Sequence, residues 1–227
     1  MKKIDKYDKY LKDKHINILK KISEGSVGQA FHVCIKDKCK IILKIQKIKT
    51  TKEKLNFLNE IKIQKKVAKL CNYVPKIYDS WIKDKYGFIV MDYLENCCTL
   101  EDYLIKNHSN THIDSVVKQL SNILDDFNKF KIIHGDLHDL NIFVCKDKLY
   151  IIDFGRSMAY SSSTDWDKTY KELYQSYNEF ESIYLDRLFI ADLLILINSK
   201  YNNPIKQSTI KDIIINDIQQ FISFYVG

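Results

Sequence analysis

The chain has 227 residues, 45% hydrophobic and 29% charged, enough to bury one large core or two smaller ones that share an interface. Two prolines, six glycines and no fixed-period repeat exclude fibrous and low-complexity classes. The net charge of +7 is carried almost wholly by lysine, Arg156 and Arg187 being the only arginines, so it reads as A/T-rich coding bias on a solvated surface, and direct nucleic-acid binding is not expected.

Cys34, Cys39, Cys71, Cys97, Cys98 and Cys145 form no C-x-x-C and no Cys/His zinc spacing, so reduced thiols are expected. The amino terminus, M-K-K-I-D-K-Y-D-K-Y-L-K-D-K, has no apolar signal core. The longest apolar run, Leu188 to Ile197, is broken by Asp192 and is too short to span a bilayer. A cytoplasmic location is the expectation, in the host cytoplasm if the source is viral.

In chain order, residues 1–15 read as a short helix or a mobile arm without chemistry. Ile16 to Ser23 and Ala30 to Ile35 read as strands around the bend Ser23-Glu24-Gly25-Ser26-Val27-Gly28-Gln29-Ala30. Glycines at such a bend let backbone N–H groups approach a polyphosphate with no Cβ in the way, although an ordinary hairpin turn has the same wording. Cys39 to Ile45 alternates as a third strand holding Lys44 in I-L-K-I. A lysine there either snorkels to solvent or needs an anionic partner, because a buried unpaired ammonium is costly. Glu53 to Leu70 reads as an amphipathic helix with Leu55, Leu58, Ile61, Val67 and Leu70 near one stripe. Lys76 to Ile82 and Gly87 to Asp92 suggest a hairpin, and Thr99 to Ile105 a short helix. Thr111-His112-Ile113-Asp114 has capping-box character before a longer helix with Ile113, Val116, Leu120, Leu124 and Phe127 facing a core.

Ile132 to Gly155 then reads I-I-H-G-D-L-H-D-L-N-I-F-V-C-K-D-K-L-Y-I-I-D-F-G. Asn141 to Val144 and Leu149 to Asp153 are strand-like runs about the turn Cys145-Lys146-Asp147-Lys148, so pairing sets Asn141 opposite Ile152 or Asp153. Asp136 lies just upstream. Hard oxygen ligands meeting at one hairpin end suit magnesium bound together with phosphates.

This stretch resembles the catalytic and metal-binding loops of the protein-kinase superfamily, H-x-D-x-x-x-x-N, a hairpin, then D-F-G. The glycine before Asp136, where arginine is usual, is similar to small atypical kinases such as the kinase subunit of the KEOPS tRNA-modification complex, and to aminoglycoside and choline phosphotransferases. The resemblance implies an α+β, two-lobed fold: residues 1–93 as a small antiparallel-sheet N-lobe, residues 94–227 as a reduced, mainly helical C-lobe. It implies ATP and Mg2+ as cofactors and assigns roles along the chain. Asp136 orients the acceptor hydroxyl and takes its proton. Asn141 and Asp153 hold the metal. Ser23, Gly25 and Gly28 stand at the glycine-rich loop, with Ser23 in place of its first glycine. Lys44 contacts the α- and β-phosphates and pairs with a helix glutamate, Glu60 in preference to Glu53. Met91 gates the nucleotide site, and the backbones of Asp92 and Leu94 meet adenine. His138 stands where many protein kinases have a lysine touching the transferred phosphate; a plain hydrogen-bonding role is the alternative, and the phosphate role implies pH-dependent turnover.

Residues 156–177 lack the A-P-E that closes an activation segment, and the arginine that would receive a loop phosphate is missing, so activity without activation-loop phosphorylation is expected. Ser161, Ser162, Ser163 and Thr164 are candidate autophosphorylation sites or a plain loop. Ile183 to Asn198 reads as a buried helix in which Asp186 resembles the aspartate that braces the catalytic loop. Ile210, Ile213, Ile214, Ile218 and Phe221 mark a last amphipathic helix. The expected activity is transfer of the ATP γ-phosphoryl to a Ser or Thr of a protein substrate, with a partner protein in a complex possible. The alternatives are a small-molecule kinase and a nucleotide-binding subunit with weak ATPase activity.

Overall fold

A computed structural model describes residues 5–25, 28–107, 109–159, 186, 190 and 193. The architecture is α+β, in two compact units, Met1–Asn96 and Cys97–Gly227.

The first unit is built on an antiparallel sheet of β1 (Ile16–Glu24), β2 (Gly28–Ile35), β3 (Lys38–Lys47), β4 (Ile77–Lys83) and β5 (Tyr86–Asp92), in the order β1-β2-β3-β5-β4. Alternation along the strands divides their side chains between two faces. Phe31, Val33, Ile41, Leu43, Ile45, Phe88 and Val90 pack with Tyr7 and Leu11 of α1 (Asp5–Asp13). The charged amino-terminal stretch therefore contributes a helix that covers one sheet face. Ile89 packs on the other side with Ile48 and with Phe57 and Ile61 of α2 (Thr51–Leu70).

α2 opens on a complete capping box, Thr50 accepting from the Glu53 N–H while the Glu53 carboxylate takes the Thr50 N–H. Its buried face differs from the expected leucine stripe. Leu55, Leu58 and Leu70 are 61%, 47% and 52% exposed, while Phe57, Glu60, Ile61, Ile63, Gln64 and Val67 are buried. Two polar residues belong to the inward face because each finds partners there, so apolar periodicity alone misplaces the stripe.

In the second unit, Thr99 caps α3 (Leu100–Lys106), its hydroxyl accepting from the Asp102 N–H. α4 (Asn110–Lys129) has Ser109 as its N-cap in place of the expected Thr111, and no side-chain capping bond. The Ser109 hydroxyl is taken by His112 Nδ1, which competes with the capping geometry. The predicted stripe of Ile113, Val116, Leu120, Leu124 and Phe127 is buried. β6 (Cys98–Thr99), β8 (Ile142–Cys145) and β9 (Lys148–Ile151) form a three-stranded sheet, and β7 (Ile132–Ile133) pairs with β10 (Met158–Ala159).

The expectation of reduced thiols is corrected: Cys34 is bonded to Cys39 and Cys97 to Cys145, with Cα separations of 4.0 and 4.5 Å. The first bond closes the β2–β3 hairpin, and the second joins the residue before β6 to the last residue of β8, its partner strand. The partners are 5 and 48 residues apart in sequence, spacings with nothing in common, so spacing marked neither pair. Residues 160–185 and 194–227, including the expected polar segment with Ser161 to Thr164 and the last amphipathic helix, lie outside the described residues. Of the expected helix over Ile183 to Asn198, Asp186, Ile190 and Leu193 are described; all three are helical and buried at i, i+4, i+7 spacing. Among the described residues no helix is long and apolar enough to cross a membrane.

Candidate active site

In the first unit the chemistry gathers between β3 and α2. Ile41, Leu43 and Ile45 turn to the α1 face, so Ile42, Lys44 and Gln46 project from the opposite one. Lys44 Nζ lies 2.7 Å from Glu60 Oε1, with side-chain exposures of 18% and 2%. Gln46 Nε2 donates to the other carboxylate oxygen, Oε2, at 2.7 Å. Glu53, the lesser candidate for the lysine, is engaged by the Lys49 and Thr50 N–H groups, which hold its carboxyl below the usual range.

Gly28 and Gly25 differ in kind. A Cβ on Gly28 would stand 2.4 Å from the Ile45 carbonyl oxygen, so this glycine is demanded by the closeness of β3. At Gly25 the nearest heavy atom to such a Cβ among the described residues is 4.0 Å away, and its N–H bonds to the Gly28 carbonyl at 2.9 Å. Ser23 is exposed on β1 opposite Ala30. Met91 packs against the α2-side cluster, its sulfur 3.8 Å from Gln64 Nε2. The Asp92 N–H is committed to the Lys76 carbonyl at 3.1 Å, which leaves its carbonyl as the Asp92 backbone group with any scope for an adenine contact. Leu94 is half-buried beyond the end of β5.

In the second unit α4 delivers the chain through β7 into the loop His134 to Asn141. His134 is fully buried, packed between Phe127 and Phe154, and its Nε2 meets the Ile152 carbonyl at 3.0 Å. A carbonyl can only accept, so Nε2 carries the proton. The Ser157 hydroxyl donates to the His134 carbonyl. The Asp186 carboxylate takes the His134 N–H at 2.6 Å and the Gly135 N–H at 2.7 Å. Burial pushes the Asp186 carboxyl up to about 6; the two N–H donors oppose that and the negative charge of Asp136 adds to it.

Asn141 closes the loop. Its Nδ2 donates to the Asp136 carbonyl at 2.9 Å and lies 3.5 Å from Asp136 Oδ2 and 3.0 Å from His138 Nε2. With the amide nitrogen turned inward, the side-chain oxygen is the atom suited to a cation. The backbone carbonyl of Asn141 accepts from Ile152, which fixes the open end of the β8–β9 hairpin next to Asp153. Asp153 itself adopts a left-handed conformation, φ 62°, and accepts from the Gly155 N–H. A carboxylate and an amide oxygen are hard donors that fit magnesium shared with phosphates. Among the described residues no group of three or more His, Cys, Asp and Glu is arranged to hold a metal alone.

Three contacts were not anticipated. Gln46 stands two residues after Lys44 on the same face, a spacing that could have revealed it. Arg156 Nη1 lies 3.6 Å from Asp136 Oδ1 and lies just past the D-F-G. His138 Nδ1 accepts from the Leu140 N–H at 3.3 Å, which turns Nε2 toward Asn141.

Residues 16–191 match the family model described as protein kinase domain. The EKC/KEOPS complex subunit BUD32 of Enterocytozoon bieneusi (strain H348) is 30% identical over 152 residues, 64% of this chain and 73% of that protein. The probable serine/threonine-protein kinase fnkB of Dictyostelium discoideum is 30% identical over 150 residues, 64% of this chain and 26% of that protein. The probable serine/threonine-protein kinase YbdM of Bacillus subtilis (strain 168) is 29% identical over 115 residues, 50% of this chain and 44% of that protein. The chain thus spans most of the first relative and less than half of the other two.

Proposed function

Because the chain belongs to the protein kinase domain family, we propose that it is an ATP-dependent phosphotransferase acting on a Ser or Thr hydroxyl of a protein. The observation that carries this reading is the Lys44–Glu60 pair, a half-buried ammonium held in place on a strand by a carboxylate with 2% exposure. Such a cation is suited to the nucleotide's α- and β-phosphates. Gly25 and Gly28, with Ser23, shape the bend that would follow those phosphates, and Met91, Asp92 and Leu94 would meet the base.

The chemistry asked of the chain is mostly placement and charge neutralisation. Asp136 orients the acceptor hydroxyl and receives its proton as the new oxygen–phosphorus bond forms and the bond to ADP breaks. Asn141 supports this by clamping the Asp136 carbonyl, while its oxygen and the Asp153 carboxylate would hold magnesium. When bound, that ion neutralises charge on the phosphates. His138, whose Nε2 lies 3.8 Å from Asp136, would touch the transferred phosphoryl group.

The relatives named as EKC/KEOPS complex subunits favour a second feature, action within a protein complex. A cytoplasmic site of action belongs to the same reading.

The test is incubation with labelled ATP and magnesium, wild type beside Asp136→Asn and Asp153→Ala, following label on the chain, on casein and on small alcohols such as choline. Label on protein that both substitutions abolish is the expected result. Turnover unchanged in Asp136→Asn would refute the mechanism, and label on the small alcohol alone would move the acceptor to a small molecule.

A further inference from the structure

Glu60 is gripped at both oxygens by one strand. Lys44 Nζ meets Oε1 and Gln46 Nε2 meets Oε2, each at 2.7 Å. The carboxylate is 2% exposed and Gln46 is 6% exposed. Only the NH2 end of the amide can face a carboxylate, so the direction of this bond is not in question. A carboxylate tied to one ammonium can rotate and follow its helix away. Held at two points by donors two residues apart on a sheet strand, it is fixed in both position and rotation.

The anchor is itself anchored. Gln46 pairs with Gly28 across β2 and β3, and a Cβ on Gly28 would lie 3.3 Å from the Gln46 Cα. The base of the glycine bend, the lysine strand and the helix glutamate are therefore tied together at one residue.

We propose that Gln46 is a positioning residue that keeps Glu60 docked on Lys44, so that the lysine is set by the fold of this unit and not by a movement of α2. The proposal rests on the reading that Lys44 engages the nucleotide phosphates, and it concerns regulation of that site. A pair locked in this way needs no phosphorylation elsewhere in the chain to assemble it. Breaking it requires Glu60 to leave a buried carboxylate site and Gln46 to lose its acceptor together, which a loosely held pair would not require.

The test uses Gln46→Met, which keeps an unbranched side chain of similar volume but removes the donor, beside Lys44→Met, each also combined with Glu60→Gln. Labelled ATP with magnesium gives kcat, KM and binding. The expected result is a kcat/KM lowered about tenfold in Gln46→Met, the size of one hydrogen bond to a charged group. In the Glu60→Gln background the same substitution should change kcat/KM by less than about twofold, because the group it acts through has lost its charge. A purely space-filling role predicts no change in Gln46→Met. Wild-type kcat/KM in Gln46→Met, with Lys44→Met inactive, overturns the proposal and leaves the phosphotransfer reading standing. Wild-type binding and turnover in Lys44→Met overturns that reading itself. Should Gln46→Met not fold, Gln46→Glu, which sets a like charge against Glu60, must lower kcat/KM further than about tenfold or the proposal is wrong.

Discussion

The Gly135 N–H reaches the Asp186 carboxylate at 2.7 Å across 51 residues of sequence, and it does so from a left-handed backbone, φ 77°. Glycine is the residue that adopts this conformation without strain. The absence of the usual arginine before Asp136 is therefore matched by a backbone conformation that suits its replacement. Gly135→Arg should lower stability by about 1–2 kcal/mol through left-handed strain, read as a fall in Tm. An unchanged Tm would show that the loop can relax to negative φ.

Asp186 gives the fold a pH dependence of definite sign. Its carboxyl, 3.8 when solvated, is raised to about 6, first by burial. For an acid raised on folding, the stabilising contribution is complete below about 4 and is lost as pH rises through about 6, a change of about 3 kcal/mol. Asp186→Asn cannot ionise, but its single carbonyl oxygen replaces two acceptors, so it should be less stable than wild type by about 2 kcal/mol at pH 4.5. That deficit should shrink steadily and vanish near neutrality. Denaturant midpoints of both proteins at pH 4.5, 6 and 7.5 decide it; a constant gap would mean the carboxyl titrates normally.

Asp153 combines a proposed metal-holding role with a left-handed backbone, and the two can be separated. Asparagine tolerates positive φ nearly as well as aspartate, whereas alanine is strained there. Asp153→Asn should therefore keep the wild-type Tm yet lose magnesium-dependent ATP binding by at least about tenfold, while Asp153→Ala should also lose about 1 kcal/mol of stability. Thermal scans with and without magnesium and ATP separate the effects. A stabilising shift by the nucleotide in Asp153→Asn equal to wild type would remove Asp153 from the metal site.

How far the sequence disclosed this arrangement depended on whether the signal was local. The β8–β9 hairpin was legible because its turn, its apolar runs and its polar end residues lie within one short stretch. Lys44 with Glu60 could be matched because strand and helix follow each other directly. The inward face of α2 was misjudged because Glu60 and Gln64 are buried by their hydrogen bonds, to Gln46 and to the Pro75 carbonyl, which no apolar period records. The Cys97–Cys145 bond joins residues 48 positions apart, which only folding brings together, whereas the Asp186 brace, about as distant, was legible only through the resemblance to a known family. Gln46 is the instructive omission, since its side chain lies on the face already assigned to Lys44.

The Cys97–Cys145 bond ties the start of the second unit to the hairpin that carries Asp153. With a sequence separation of 48, its loop-closure contribution is about 4 kcal/mol, against about 2 kcal/mol for the Cys34–Cys39 bond with a separation of 5. Reduction by dithiothreitol should lower the denaturation midpoint, and Cys97→Ser should reproduce about two thirds of the loss where Cys34→Ser reproduces about one third. Equal midpoints for oxidised and reduced protein would mean that the cross-strand contacts hold these residues unaided.

The two glycines of the phosphate-side bend should respond oppositely to the same small change. Gly28→Ala places a methyl group 2.4 Å from the Ile45 carbonyl oxygen, a backbone atom that moves only if β2 and β3 separate. Overpacking of that kind costs about 1–3 kcal/mol, and here it would also disturb the strand pairing that holds Gln46. At Gly25 the nearest atom to an added Cβ among the described residues is 4.0 Å away, an ordinary contact, so Gly25→Ala should leave Tm within about 2 °C of wild type. Nucleotide binding separates the roles further: Gly25→Ala should weaken ATP binding if backbone N–H groups at this bend approach phosphate, because the methyl group intrudes on the ligand and not on the fold. A Gly25→Ala protein with wild-type Tm and wild-type ATP affinity would remove Gly25 from the phosphate contact and leave Gly28 as a packing residue alone.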